Sequence, residues 1–418
     1  MKYTIVILGG AADQPQPELN EQTPLQAANT ATLDRIAGHG RLGQVALSPP
    51  GVSDSTCLGP DAAALAMLGY DSARLYPGPA PLHALGMGLD LGPGDWAFNL
   101  GLVSVVDGVI QAPARLQVTP GESQALVRDL VERFDLPGAV VYPGEAGSHL
   151  MIDPAGADAS HESWQWDEVE THHPLDIVGV PLRKCLPVGG QAGERLQQFI
   201  AMSEVELAGH EINQARREMD EPLITHLWPW GQGRHPVLTP WPDRFGKTAA
   251  MITSDATMQG LAIGAGLDPI HAPAARPEAD DSSFSEGDLI RLGVDAVDAL
   301  AMYDVVIVHV RAPHLASLDG SVPDKVRAIE LADTHVIKPI DQALTAGGQP
   351  YRLLVTPLHA TLAEAQRSVA MPMPFLIAGE KITNVVARPL TEADAEQADL
   401  QVEYGHELME FFLKGGMR

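Results

Sequence analysis

The sequence predicts an α/β protein in which helices cover both faces of a mostly parallel sheet, with an α+β domain inserted into that core. Short β-branched apolar runs alternate with segments of helical periodicity along most of the chain. The first run, 3–8, is continuously apolar, which is typical of a strand buried on both faces at the centre of a parallel sheet. From residue 96 the pattern changes to shorter, more polar segments, which indicates the insert.

The elements follow from these patterns in chain order. Core strands are predicted at 3–8, 42–47, 248–253, 305–310, 352–356 and 375–378, and helices at 62–68, 194–219, 258–264, 288–302, 322–344 and 406–413. The insert carries a hairpin that turns at Asp107-Gly108, a helix over 122–134 and two short strands. The predicted domains are a first core segment 1–95, an inserted α+β domain 96–187 and a second core segment 188–418.

Composition excludes several classes of partner. The 418 residues include 27 basic and 54 acidic side chains, a formal charge of −27 that disfavours nucleic acid and anionic membranes. The two cysteines form no disulfide framework, and no apolar stretch is long enough to span a bilayer. We therefore expect a cytoplasmic protein that binds neither nucleic acid nor membranes. A small anionic ligand is its expected partner, and the sequence leaves any protein partner and the oligomeric state open.

Six ordered segments give the chain a recognisable pattern. They are Gly10–Asp13 (GAAD), Thr23–Thr30 (TPLQAANT), Leu68–Asp71 (LGYD), Ala84–Gly88 (ALGMG), Trp230–Arg234 (WGQGR) and Ala316–Gly320 (ASLDG). In order and spacing they resemble the archaeal-type, cofactor-independent phosphoglycerate mutases of the alkaline phosphatase superfamily, over nearly the whole chain. The resemblance implies an alkaline-phosphatase-type core with an inserted domain. It also implies exchange of phosphate between 3- and 2-phosphoglycerate through a phosphoserine.

That chemistry requires groups that this sequence replaces. The resemblance implies two divalent metals, manganese, magnesium or zinc, which clamp a serine oxygen and a phosphoryl group. Proline occupies the position of the nucleophilic serine, so a phosphoserine cannot form there. The family's metal-ligand positions are occupied by Gly9, Pro60, His314, Leu318, Leu358, His359 and Ser368. The positions of two substrate-binding arginines hold Pro79 and Asn99. No catalytic residue, no metal site and no cofactor is therefore predicted.

Some polar residues of the family pattern persist. Asp13, Asp61, Asp255, Asp319 and His359 are the residues predicted to line a remnant binding pocket. Each also has a structural interpretation: Asp61 stands where a helix N-cap would, and Asp319-Gly320 is typical of a turn.

Three functions remain open at this point. The leading hypothesis is a degenerate family member that lacks mutase activity and serves binding, regulation or scaffolding. The second is a phosphate-ester enzyme with a relocated site, in which Ser53, Ser55 or Thr56 supplies a hydroxyl and His309, His314 and His359 gather one metal. The third is an active phosphoglycerate mutase.

Overall fold

A computed structural model describes residues 1–48, 59–112, 116, 118–133, 139–144, 149–154, 165–272, 284–384 and 386–414. These residues form two compact units. The first unit combines residues 1–76 with 237–418, and the second is the continuous stretch 77–236. The second unit is larger than the insert predicted at 96–187, since it begins earlier and ends later.

The strands and helices are numbered in chain order. The strands are β1 (Lys2–Leu8), β2 (Arg41–Val45), β3 (Trp96–Val103), β4 (Val105–Val106), β5 (Val109–Ile110), β6 (Val140–Tyr142), β7 (His149–Asp153), β8 (His226–Arg234), β9 (Ala249–Thr253), β10 (Asp268–His271), β11 (Val305–Val310), β12 (Tyr351–Thr356), β13 (Ala360–Leu362), β14 (Arg367–Val369), β15 (Met373–Gly379) and β16 (Leu400–Val402). The α-helices are α1 (Pro24–Ala27), α2 (Ala31–Ala37), α3 (Pro60–Met67), α4 (Ser72–Leu75), α5 (Pro79–Gly86), α6 (Pro120–Arg133), α7 (Gly190–Ala208), α8 (Glu211–Glu218), α9 (Trp241–Phe245), α10 (Ala256–Gly264), α11 (Glu286–Met302), α12 (Ala312–Leu318), α13 (Val322–Ala332), α14 (Lys338–Ala346), α15 (Glu392–Glu396) and α16 (Gly405–Lys414).

The first unit is built on an eight-stranded sheet of order β10-β9-β11-β1-β12-β15-β2-β16. The strands β10, β9, β11, β1 and β12 are parallel, β15 is antiparallel to both of its neighbours, and β16 runs parallel to β2. The prediction that the strands near residues 3, 248, 305 and 352 are neighbours in one mostly parallel sheet is confirmed. The mixed α/β fold class is confirmed with it.

Burial explains why β1 lies at the centre of this sheet. Residues 3–8 are all buried, and β1 pairs in parallel with β11 on one side and β12 on the other. A strand buried on both faces is nearly continuously apolar, and Thr4 is the one polar exception among residues 3–8. The carboxyl ends of β1, β9, β11 and β12 therefore meet at one edge, where open α/β sheets place their ligand sites.

The long helix predicted at 322–344 contains an irregular turn. Between α13 and α14, residues Asp333–Ile337 form a π-helical turn. The Asp333 carboxylate accepts the backbone N–H groups of Thr32 at 2.9 Å and Leu33 at 2.8 Å, at the start of α2. A Cβ on Gly293 of α11 would overlap the carbonyl oxygen of His335, so this wide turn fits against α11 only where α11 has no side chain.

The second unit has its own sheet, of order β6-β7-β3-β8, with antiparallel pairing throughout. Because β8 pairs along the length of β3, the chain up to Arg234 belongs to this sheet. This pairing is the physical reason why the unit extends past residue 187. The predicted turn at Asp107-Gly108 is present between β4 and β5, with both residues at positive φ. Among the described residues, no helix is long and apolar enough to cross a membrane.

Candidate functional site

Six of the positions that the sequence singled out lie at or near the carboxyl edge of the first unit's sheet. Gly9 directly follows β1, His314 lies in α12 after β11, and Leu358 and His359 follow β12. Pro60 is the first residue of α3, and Ser368 lies in β14. We call these six residues, together with the polar side chains that contact them, the remnant cleft.

Two histidines of the remnant cleft bond to each other. Nε2 of His359 lies 3.3 Å from Nδ1 of His314, and that same nitrogen of His314 lies 2.8 Å from Oγ1 of Thr361. Oγ1 of Thr361 lies 3.4 Å from Oγ of Ser368. His359, His314 and Ser368, which the resemblance places at ligand positions, are therefore joined in one chain of hydrogen bonds, with Thr361 between His314 and Ser368.

Burial keeps the imidazoles of the cleft neutral. Burial lowers the pKa of His314 to about 3 and that of His359 well below its ordinary range. Nearby cations, Arg311 for His314 and Lys325 for both, act in the same direction. Nδ1 of His359 has no hydrogen-bond partner within the described part of the chain.

A third histidine lies against the first loop. Nδ1 of His309 lies 3.0 Å from Oγ1 of Thr253, which joins the ends of β9 and β11. A Cβ on Gly9 would lie only 2.8 Å from Nε2 of His309. Burial lowers the pKa of His309 to about 4, although Asp255 opposes this shift.

Two carboxyl groups have opposite shifts. Burial raises the pKa of Asp61 to about 6, against a hydrogen bond of 2.5 Å that the Tyr76 hydroxyl donates to it. Burial also acts to raise the pKa of Asp255, but the Arg311 guanidinium, 3.3 Å away, and nearby imidazoles bring it below its ordinary value. Asp255 also caps α10 by accepting the N–H of Met258 at 3.0 Å.

Asp61 is not the N-cap that its position suggested. The helix α3 begins one residue earlier, at Pro60, with Gly59 as N-cap. Proline is favoured at the first helical position because its missing N–H has no intrahelical partner there. Asp61 therefore lies inside the first turn.

Asp13 serves a buried ion pair. Nζ of Lys325 donates to Oδ2 of Asp13 at 2.7 Å, and both side chains are fully buried. The same Nζ donates to the carbonyl oxygens of Thr361 at 2.7 Å and Ala12 at 3.1 Å. These bonds tie the loop after β1 to α13 and β13.

The remaining predicted residues lie elsewhere. Asp319 is exposed in a turn that follows α12, with Gly320 at a positive φ, as the sequence indicated. Ser53, Ser55 and Thr56 lie outside the described residues.

Sequence reasoning missed Arg311, Tyr76, Thr361 and Lys325. Arg311 directly follows the clearest strand in the chain, and Thr361 stands two residues after His359, so their positions were the available signals. Tyr76 and Lys325 have no such signal, because their contacts with Asp61 and Asp13 arise only from packing.

The two positions at which the resemblance implies substrate-binding arginines lie in the second unit, and other residue types occupy them. Pro79 is the first residue of α5, where a side chain on Gly231 would touch its ring. Oδ1 of the buried Asn99, on β3, lies 2.9 Å from Nδ1 of His83. Neither position provides a cation.

The remnant cleft also differs from a metal centre in its donors. Across the described ranges, no group of three or more histidine, cysteine, aspartate or glutamate side chains is arranged to hold a metal ion. The single-metal grouping of His309, His314 and His359 is thus not formed as a ligand set in these residues.

Comparison with known proteins identifies the family. A family profile described as 2,3-bisphosphoglycerate-independent phosphoglycerate mutase matches residues 37–213. A protein of Methanothermobacter thermautotrophicus named 2,3-bisphosphoglycerate-independent phosphoglycerate mutase 2 is 31% identical over 418 residues, covering 100% of this chain and 98% of that one. A protein of Methanosarcina barkeri with the same family name is 31% identical over 417 residues, covering 99% and 100%.

Solved structures agree with this fold. A Pyrococcus horikoshii protein has a TM-score of 0.76 at 25% identity, covering 100% of this chain and 98% of its own. The cofactor-independent phosphoglycerate mutase of Thermoplasma acidophilum has a TM-score of 0.54 at 20% identity and covers 99% of both chains. On its identity to full-length relatives and on its fold, the chain belongs to the family of 2,3-bisphosphoglycerate-independent phosphoglycerate mutases.

Proposed function

We propose that this member of the mutase family does not carry out metal-dependent phosphoryl transfer and is retained for binding a small anionic ligand, with a regulatory role. The observation that carries the proposal is the bonding inside the remnant cleft. His359, His314, Thr361 and Ser368 form hydrogen bonds with one another, where the family mechanism needs side chains that face metals.

The donor set does not fit two divalent metals. Gly9, Pro60, Leu318 and Leu358 offer no oxygen or nitrogen from their side chains. Hard divalent cations need carboxylate or imidazole ligands, and burying a dication without them is prohibitive. His359, the one ligand that persists, directs Nε2 to His314.

The nucleophile is also absent. Pro60 has no hydroxyl, and its neighbour Asp61 is a buried carboxyl held by Tyr76. The family reaction through a phosphoserine therefore has no attacking group at this position. Pro79 and Asn99 further remove the cationic forks that would hold a phosphate and a carboxylate.

A binding role is supported by Arg311. Its side chain is 35% exposed, and among the described residues its ion pair with Asp255, 3.3 Å long, leaves further guanidinium donors for a ligand. His314, half-buried beside it, has a second ring nitrogen. An arginine and imidazoles are suitable donors to a phosphate or carboxylate group.

The test combines activity, metal content and binding in one preparation. Purified protein is assayed for interconversion of 3- and 2-phosphoglycerate with Mn²⁺, Mg²⁺ or Zn²⁺, beside the Methanothermobacter thermautotrophicus relative as positive control. We expect no interconversion and no stoichiometric metal by elemental analysis. Interconversion together with two equivalents of metal would refute the proposal.

Binding is measured by isothermal titration with 3-phosphoglycerate and with inorganic phosphate. We expect saturable binding that Arg311→Gln weakens at least about tenfold, the effect of losing a charge-assisted bond. Arg388→Gln serves as the matched control, because Arg388 is also partly exposed and also pairs with one carboxylate, that of Asp394 at 3.6 Å. One tightly bound zinc, with ester hydrolysis lost in His359→Ala or Ser55→Ala, would instead establish a relocated enzyme site.

A further inference from the structure

We infer that His309 fills the volume in which a side chain on residue 9 would stand, so that Gly9 and His309 form an interdependent pair that closes the first metal position. This inference goes beyond the proposed binding function, because it concerns what prevents the cleft from regaining a ligand. It holds whether or not an anion binds at Arg311.

The steric evidence is direct. An ideally placed Cβ on Gly9 would lie 2.8 Å from Nε2 and 3.4 Å from Cδ2 of His309. A separation of 2.8 Å between such a carbon and a ring nitrogen is well inside van der Waals contact. The carbonyl oxygen of Val310 would lie 3.2 Å away, which is tight but closer to an ordinary contact.

The imidazole has little freedom to withdraw. Its Nδ1 is bonded to Oγ1 of Thr253, and Oγ1 in turn accepts the N–H of Asp255 at 3.1 Å. His309 lies within β11, with its residue paired to Ile7 of β1. The N–H of Gly9 donates to the carbonyl of Val310 at 2.9 Å, so the loop and β11 are fixed against each other.

The backbone does not itself require glycine at this position. Gly9 does not have a positive φ, whereas its neighbour Gly10 does, at 67°. A Cβ on Gly10 would also lie 2.6 Å from Oγ1 of Thr361 and 2.8 Å from Cα of His314. Glycine at 9 is therefore explained by the His309 ring, and glycine at 10 by its backbone and by other neighbours.

It follows that Gly9→Asp alone cannot restore the first ligand of the family pattern. The Cβ of that aspartate would overlap the His309 ring, so the ring would have to move and break its bond to Thr253. Loss of the metal position at residue 9 is thus coupled to a second residue that is not itself one of the ligand positions.

A double-mutant cycle tests this coupling through thermal unfolding. We expect Gly9→Ala to lower the midpoint by about 3 °C or more in the otherwise unchanged protein, and by much less in the His309→Ala background. Gly10→Ala is the matched control, and His309→Ala should not relieve its loss. If His309→Ala does not fold, it is replaced by His309→Asn, whose side chain is shorter than that of histidine.

Equal losses for Gly9→Ala in both backgrounds would overturn the inference.

A second measurement uses Mn²⁺ alone as the probe. Gly9→Asp, Pro60→Ser and Leu358→Asp are combined with the native His359, with and without His309→Ala. By calorimetry we expect binding at least about tenfold tighter when His309 is removed. Equal affinity for Mn²⁺ with and without His309 would contradict the proposed coupling between Gly9 and His309.

Discussion

Removing the buried Lys325 should leave Asp13 as an uncompensated charge in the core. Nζ of Lys325 donates to a carboxylate oxygen at 2.7 Å and to two backbone carbonyls at 2.7 and 3.1 Å, with both side chains fully buried. Lys325→Met keeps most of the apolar stem but removes all three bonds. Breaking a buried pair from one side costs about 3–5 kcal/mol of unfolding free energy.

The paired substitution distinguishes charge from packing. Asp13 also accepts the N–H groups of Gln14 at 2.7 Å and Ala363 at 3.1 Å, which a neutral amide oxygen satisfies in part. We therefore expect Lys325→Met with Asp13→Asn to recover half or more of the loss. Replacing both partners of a buried pair by neutral groups costs far less than replacing one.

Denaturant unfolding followed by circular dichroism measures all of these variants. Lys414→Met is the matched control, because it breaks an exposed pair with Glu410, and we expect no measurable change there. The reasoning is refuted if Lys325→Met is no more harmful than this control. It is equally refuted if the double variant loses the sum of the two single losses.

Four further predictions rest on the same structure. The pKa of His309 falls to about 4 from 6.5 on folding, so its contribution to stability is complete above pH 6.5 and is lost as the pH falls toward 4; His309→Gln should flatten that decline in melts across pH. The pKa of Asp61 rises from 3.8 to about 6 on folding, so this group adds stability as the pH falls below 6 and opposes the decline caused by His309. Asp61→Asn should therefore make the decline in stability steeper. Gly293→Ala should cost about 1–3 kcal/mol by overlap with the π-helical turn. Gly287→Ala, near the start of the same helix, should be neutral or stabilising in urea titrations, because its Cβ would make only an ordinary contact with Oγ of Ser285 at 3.7 Å. Pro60→Ser alone should leave hydrolysis of a generic phosphate ester at background, because an unactivated hydroxyl is a poor nucleophile; measurable turnover would show that an activating group is already present.

The core strands were predictable because their signal is local. Five of the six residues in the run 305–310 are β-branched, and the strand has those bounds. The domain limits were harder, because β8 pairs with β3 across more than a hundred intervening residues and nothing local marks that partner. The helix start at Pro60 was missed for a different reason, since Asp61 also fits a cap pattern.

For the cleft, the sequence could predict only which residue types occupy it. The sequence alone shows that the side chains of Gly9, Pro60, Leu318 and Leu358 offer no oxygen or nitrogen. What fills the space cannot be read from it, because His309 meets Gly9 through the pairing of strands far apart in the chain. The bond between His314 and His359 likewise depends on how α12 lies over the end of β12.

The central place of β1 has a consequence for how the chain is made. Its two partners, β11 and β12, begin at residues 305 and 351, whereas β1 is synthesised first. At about 5–20 residues per second, an apolar strand with two open edges waits on the order of 15–60 s before either partner leaves the ribosome. The continuous unit 77–236 is complete well before that moment. A central, mostly apolar strand of the sheet thus stays without either of its partners through most of the synthesis of the chain.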